Sequence, residues 1–406
     1  MKTLLLIPSY AKVNIDADIA SDRHPTMDYQ ALVAALGKQP GDEVELLDHA
    51  SVDRERHPVV QLVHRMVGKD AALAVLGFLR RNAFDTIFTN AEKIALPLSI
   101  MLRSVPRRPR HVTIAHRLTA KKKQPFYRWL KLYKQMDAIF VYSSAQHEFA
   151  CTELGIPREI MRLIPFHADH HFFRPMPTPT PTPTSVEDAA REDQICAAGL
   201  EWRDYPTLVK AVSELRELCV RLAAASPWSK HASELDDRVL PQHVTARGYD
   251  YFDLRALYAE SAFVVVPLYQ NDFQAGVTTI LEAMAMGKAV IASGTIGQTD
   301  IIHHEQNGLY VPPGDVQALQ DAVQRLRGDK GLRARLGRAG RRWVEQHATL
   351  DRWVEDIVAG LRGTGSPQRR DVRPPAHVSS APAAAELNAS LAVSLSALLA
   401  TSRGLS

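Results

Sequence analysis

The chain has 406 residues, 46% hydrophobic and 23% charged, a globular balance with material for two cores that excludes disorder of the whole chain. Its three cysteines, Cys151, Cys196 and Cys219, are too few and odd in number for a disulfide scaffold, and no apolar run reaches the ~18–20 residues of a membrane span. The net charge of +4 is unevenly placed: residues 1–174 carry 25 Lys+Arg against 18 Asp+Glu, and eleven basic residues fall between Leu102 and Lys134 with no acidic one among them, so one half is expected to meet an anionic surface or ligand.

Met1–Pro8 opens with a short apolar run and no small-residue cleavage site, which reads as a first β-strand rather than a signal peptide; a reducing cytoplasm is the expected compartment. Further buried strands are expected at Val44–Leu47, Thr86–Thr89, His111–Ala115 and Ala138–Tyr142, with helical spacing between them at Tyr29–Leu36 and Ala71–Arg80. Residues 176–185, Met-Pro-Thr-Pro-Thr-Pro-Thr-Pro-Thr-Ser, favour extended polyproline and cannot build a core. The alternation then resumes, with strands expected at Gln194–Ala198, Val220–Ala224, His243–Ala246, Phe263–Val266, Ala289–Ala292 and Gly308–Val311. Helices fall between them at Tyr205–Leu215, Leu254–Ala259, Thr278–Met286 and Val316–Arg327. Strand and helix in alternation predict α/β architecture with parallel sheets, here in two similar halves with the ligand in a cleft at the strand C-termini. After Gly363 the chain turns rich in Pro, Gly, Ser and Arg, which predicts disorder, before an Ala/Leu/Ser segment at 383–400 with weak amphipathic spacing.

The most informative segment is Gln274-Ala275-Gly276-Val277-Thr278-Thr279-Ile280-Leu281-Glu282-Ala283-Met284-Ala285-Met286-Gly287. It predicts a loop with Gly276 opening a helix, whose free N–H groups and positive dipole end suit phosphates and hydroxyls. Glu282 lies inside that helix among apolar neighbours, where a carboxylate needs partners; the hydroxyls of a ribose would supply them.

This segment resembles the hallmark of the family 4 retaining glycosyltransferases of the GT-B fold: a Glu, seven residues, a second Glu, then Ala-Met-Ala-x-Gly-x-Pro-Val. The similarity continues through Ser293–Gln298, Asn307–Val311 and Pro313–Asp315 and covers most of residues 86–362. It implies two Rossmann-like doubly wound domains facing a cleft: an acceptor-side domain at 1–175, a linker at 176–192, a nucleotide-sugar domain at 193–347, a helix at 348–363 crossing back towards the first domain, and a low-complexity tail at 364–406.

One departure matters. The first acidic position of the hallmark is Gln274, whose counterpart in the family holds hydroxyls of the donor sugar; an amide keeps an acceptor oxygen, adds a donor and loses the charge. In Ala198-Gly199-Leu200-Glu201-Trp202-Arg203, Leu200 stands where the family has Arg. Arg203 is then the expected cation on the donor diphosphate, gripping it in a forked manner, with Lys230 as its candidate partner. Gly199, Ala275, Gly276, Val277 and Thr278 complete the expected donor-binding set. In the first half, His116 follows the strand His111–Ala115 and is expected to face the donor sugar across the cleft, as a histidine does in the family, whereas His111 at the strand start is structural.

Glu92 offers either a contact to acceptor hydroxyls or a helix-start carboxylate favoured by the dipole. Asp169 matches a domain-junction segment and reads as structural. His167, His170 and His171 resemble metal ligands in composition only, at a spacing that fits neither a zinc helix nor a finger. Asp16-Ala17-Asp18 lies in the first loop, away from where a metal-binding Asp-x-Asp belongs, and no metal or cofactor is expected. Pro8-Ser9-Tyr10 replaces the Gly-Gly loop of many relatives. Within 121–134, Phe126, Trp129, Leu130 and Tyr133 would share one face of a helix ringed by cations, which either packs on the sheet or makes peripheral contact with an anionic membrane; nucleic-acid binding lacks any accompanying module.

The expected reaction is retaining transfer of a glycosyl group from a nucleoside-diphosphate sugar to a hydroxyl of a glycan, lipid-linked or small-molecule acceptor. His116, Arg203, Lys230, Gln274 and Glu282 are the expected site. The alternatives are a nucleotide-sugar 2-epimerase of the same fold and a non-catalytic nucleotide-sugar-binding partner, the latter prompted by Gln274 and Leu200.

Overall fold

The computed structural model describes residues 1–12, 14–176, 193–225 and 240–364. The linker from 177, Lys230 and the tail from 365 lie outside the described residues.

The first half forms six strands, β1 (Lys2–Leu6), β2 (Glu43–Leu47), β3 (Thr86–Thr89), β4 (Arg110–Ile114), β5 (Ala138–Val141) and β6 (Met161–Leu163). They pair in parallel in the order β2-β1-β3-β4-β5-β6. The second half forms β7 (Gln194–Ala198), β8 (Cys219–Ala225), β9 (Val244–Gly248), β10 (Phe263–Val266), β11 (Ala289–Ser293) and β12 (Leu309–Val311). Their order is β12-β11-β10-β7-β8-β9, again all parallel.

The interior strands read as unbroken apolar runs because helices cover both faces: Leu4–Leu6, Ile87, Phe88 and the whole of Phe263–Val266 are buried. Each sheet has one place where the strand order reverses, between β1 and β3 and between β7 and β10. Helices leaving the two strands there go to opposite faces, so a crevice opens at the strand C-termini. Strand β6 was not legible in the sequence, since three residues are too few to display a period.

Two segments cross between the halves, and they run side by side. Ala168 N–H donates to the Ala348 carbonyl and Leu350 N–H to the Ala168 carbonyl, both at 3.0 Å. The Asp169 carboxylate ties the outgoing segment down by accepting from the backbone of Thr26, His171 and Phe172. After the return crossing, the helix Leu350–Arg362 lies on the first sheet, burying Trp353, Ile357 and Leu361 with Leu32, Val112 and Phe140. Arg110 Nε donates to the Gly360 carbonyl at 3.0 Å and Trp353 Nε1 to the Tyr142 hydroxyl at 3.2 Å.

The expected helical face in 121–134 is not formed. A helix spans only Gln124–Arg128, Lys131 adopts left-handed backbone (φ 48°), and a 3₁₀ turn follows at Leu132–Gln135. A residue in that conformation ends a right-handed helix. The aromatics are split as a result: Tyr127, Leu132 and Tyr133 are buried, while Trp129 and Leu130 are exposed.

Gly360 lies where the crossing helix meets Phe140, and a Cβ there would fall 2.5 Å from the ring. In an open helix Gly→Ala gains up to about 1 kcal/mol. Here overpacking reverses the sign, and Gly360→Ala is expected to lower stability by about 1–3 kcal/mol, read as a lower urea midpoint.

Candidate active site

At the crevice of the second sheet lies a cavity of about 780 Å³, lined mainly by the loops after β7, β9 and β10, with Lys12, Asp18, Arg23, His24 and Phe166 contributed by the first half. That size suits a drug-sized or nucleotide-sized ligand.

Its floor is built around Arg203. Gly199 has φ 97°, and a Cβ on it would sit 2.3 Å from the Arg203 guanidinium; Gly276 has φ 76° and also packs beside it. The two glycines let the buried side chain run beneath both loops. Arg203 Nε donates to the Ala198 carbonyl at 2.7 Å, one terminal nitrogen to the Glu201 carbonyl at 2.9 Å, and the other to Thr279 Oγ1 at 3.1 Å. The loop after β7 is thereby fastened to the helix after β10. Three of the five N–H groups of Arg203 are thus spent on the protein itself, which leaves one on each terminal nitrogen, with the buried charge, for a ligand.

Gly276 is the N-cap of the helix Val277–Ala285, and no side chain caps that end. Ala275, Gly276, Val277 and Thr278 line the cavity, so the first-turn amides and the positive end of the dipole are presented to a ligand. The loop is braced from behind: Gln298 Nε2 donates to the Ala275 carbonyl, and Gly297 sits against the Phe273 backbone where any Cβ would clash.

Glu282 is buried one turn further along, and its Oε2 accepts from the Tyr258 hydroxyl at 3.0 Å. Burial raises its carboxyl pKa to about 8, against the smaller opposing pulls of Tyr258 and Arg203, so it is largely protonated near neutrality. A protonated carboxyl both donates and accepts, which matches a pair of hydroxyls.

Gln274 faces the same cavity with 9% of its surface exposed. Neither its Oε1 nor its Nε2 has a hydrogen-bond partner among the described residues. Burying an unpaired amide costs about 1–3 kcal/mol per group, which is the signature of a side chain kept for a ligand.

Other expected site residues fall elsewhere. His116 ends up exposed at the C-terminal end of β4, its Nε2 2.9 Å from the Asn90 carbonyl, and it is not among the cavity-lining residues. A row of rings leads from His116 to the cavity-lining Phe166, with centroids 5.7 Å from His116 to Tyr142 and 4.7 Å on to Phe166. Glu92 is buried and engaged, accepting from Lys123 Nζ at 2.8 Å and the Arg117 amide at 2.9 Å. Burial raises its pKa, but Lys123, His116 and that amide outweigh it and hold the carboxyl below its ordinary range. Leu200 packs against the second core. Lys230 lies outside the described residues.

The first-half contribution was missed in the sequence. Lys12 Nζ is 3.0 Å from His24 Nε2 and 5.2 Å from the Tyr251 ring centroid across the cleft; burial lowers its pKa, with Asp18 opposing. Lys12, Arg23 and His24 sit in loops without periodicity, and only their position after a first strand could have flagged them.

Residues 193–329 match the family model described as glycosyl transferases group 1. A lipopolysaccharide core biosynthesis glycosyltransferase of Rhizobium meliloti is 27% identical over 191 residues, 46% of this chain and 53% of that protein. A GDP-mannose-dependent alpha-(1-6)-phosphatidylinositol monomannoside mannosyltransferase of Mycobacterium tuberculosis is 27% identical over 236 residues, 55% and 61% of the two chains. The matches thus span only about half of these relatives' length. Among solved structures, sucrose-phosphate synthase from Thermosynechococcus elongatus aligns with a TM-score of 0.67 at 20% identity, covering 89% of this chain and 99% of that one. Anabaena HepE in complex with UDP-glucose aligns with a TM-score of 0.62 at 17% identity, covering 88% and 100%. The fold is the two-domain GT-B architecture of Rossmann-like halves.

The Glu282 carboxyl moves from about 4.5 when unfolded to about 8 when folded, so the folded state holds its proton more tightly. Its contribution to stability is full below pH 4.5 and is lost as pH rises to 8. Thermal stability is expected to decline across that window in the wild type, and Glu282→Gln is expected to flatten the decline.

Proposed function

We propose that the protein is a glycosyltransferase that moves a sugar from a nucleoside-diphosphate donor to an acceptor hydroxyl, retaining the anomeric configuration and using no metal or cofactor in the chemistry. The observation that carries this reading is Gln274: a buried amide with both polar atoms unpaired, in one cavity with an uncapped helix start and the buried Glu282. The family match over the donor-side domain and the nucleotide-sugar-using relatives support it.

In this reading the amides of Ala275–Thr278 receive the diphosphate, and Arg203 beneath them positions the two loops and supplies fixed positive charge. As the glycosidic bond breaks, negative charge collects on the leaving diphosphate; preorganised dipoles and a buried cation stabilise it without reorganising. Glu282 holds the ribose hydroxyls and Gln274 the sugar hydroxyls. No side chain lining the cavity is assigned as a covalent nucleophile. Lys12 and His24, reaching in from the other half, complete the enclosure that keeps water from competing as acceptor.

The acceptor is proposed to be a glycan or lipid-linked hydroxyl compound, met at the cytoplasmic side of a membrane that the exposed Trp129 and Leu130, with nearby Lys121, Lys122, Arg128 and Lys131, would touch peripherally. No helix among the described residues is long and apolar enough to cross a membrane.

Calorimetric titration with UDP-glucose, GDP-mannose and a dTDP-sugar tests donor binding; failure to bind any of them sinks the proposal. Incubation of the bound sugar nucleotide without acceptor separates transfer from epimerisation, since only an isomerase alters the sugar. Glu282→Ala is expected to cut transfer at least tenfold, about 1.4 kcal/mol of barrier. Gln274→Met is expected to raise the melting temperature, because it removes two orphaned polar atoms, while weakening donor affinity at least tenfold; affinity unchanged from wild type would exclude Gln274 from the sugar site.

A further inference from the structure

The ligand-like cluster at the domain junction is not the one the histidine composition suggested. His167 is half-buried, stacked against Phe166 and tilted onto Trp353. In its place the return crossing brings Asp351, on the first turn of the helix Leu350–Arg362, to His170 and His171. One ligand atom from each of the three lies within 4.8 Å of the others. His171 Nε2 is 3.5 Å from Asp351 Oδ2, close to the roughly 3.4 Å that separates two ligands on a tetrahedral zinc with bonds of about 2.0–2.1 Å. The two imidazoles are already side by side, with ring centroids 4.0 Å apart, and His170 Nδ1 is buried without a hydrogen-bond partner among the described residues.

The backbone carrying these groups is set independently of any ligand. Asp169 fixes the outgoing turn through the His171 and Phe172 amides, and the Ala168–Thr349 bridge locks the two crossings together one residue away. Two cations approach the backbone here: Arg341 donates to the His170 carbonyl and is paired with Glu345 at 2.6 Å, and Arg174 donates to the His171 carbonyl and is paired with Asp22 at 2.7 Å, so both charges are partly balanced. Two imidazoles and one carboxylate form a donor set suited to zinc, nickel or copper and not to magnesium.

We propose that His170, His171 and Asp351 bind one divalent transition-metal ion of the zinc type, with solvent completing the shell. The ion would clip together the two segments that join the halves and stiffen the hinge on which they close. It lies apart from the donor cavity and stands whether or not the transferase reading holds. Tag-free full-length protein, stripped with a chelator and dialysed, is titrated with zinc chloride by calorimetry and scanned for thermal unfolding with and without zinc. The expected result is one saturable zinc site per chain, a zinc-dependent rise in melting temperature, and at least tenfold weaker binding in His171→Ala and in Asp351→Ala. Both side chains are more than two-thirds exposed, so the variants should fold as the wild type does. Absence of a saturable zinc site in the wild type, or equally tight binding in both variants, overturns the proposal.

Discussion

A guanidinium buried without a hydrogen-bonded carboxylate governs the second half of this molecule. Arg203 is held by two backbone carbonyls and one hydroxyl, which satisfy its geometry but leave its charge uncompensated. Burial depresses its pKa, the nearby Tyr205, Tyr258 and Glu282 opposing, and Glu282 is itself pushed towards its neutral form. The result is a low-dielectric floor of positive charge beneath a helix start of the same sign. Such a place attracts an anion strongly, because neither the cation nor the amides need reorganise to meet it. Glycine at 199 serves the same end, since a Cβ there would fall 2.3 Å from the guanidinium, while a Cβ at Gly276 would meet Val266 at 2.8 Å before it reached Arg203.

The other wall of the cavity is set by contacts between the halves. Asp22 accepts from Arg174 at 2.7 Å and pairs at 2.9 Å with Arg255, a buried side chain of the helix Tyr251–Glu260. The hydrogen bond to Arg174, with Arg255 beside it, holds the Asp22 carboxyl down at about 2. Arg117 reaches Asp272 at 2.9 Å and lies over the rings of Trp202 and Phe273. These pairs are partly exposed and individually weak, which suits an interface that opens and closes, and they sit at the cavity rim where closure would be felt. The two chain crossings are themselves joined by the Ala168–Thr349 bridge.

Much of the fold was legible in the chain because parallel strands buried on both faces write themselves as short apolar runs. Phe263–Val266 and Thr86–Thr89 could be bounded to the residue, while β6 had too few residues to register. The loop after β10 was legible for a different reason: a glycine followed at once by helical spacing marks a helix start, and Gly276-Val277-Thr278 satisfies that locally. The 121–134 segment misled because its apolar spacing is helical, but the left-handed turn at Lys131 lets Tyr127 and Tyr133 go inward and leaves Trp129 outside.

The amino-acid order alone settled what is local: the strand and helix alternation, the break between two halves, and the loop that opens the helix at Gly276. Only the folded chain decided what depends on residues far apart in sequence. It turned Arg203 inward onto Thr279, seventy-six positions away, drew Lys12 and His24 into the cavity, and brought Asp351 to His170 and His171 at the junction. Periodicity reports which face of an element is buried; it carries no information about which other element will cover that face, and side-chain chemistry is completed by that second element.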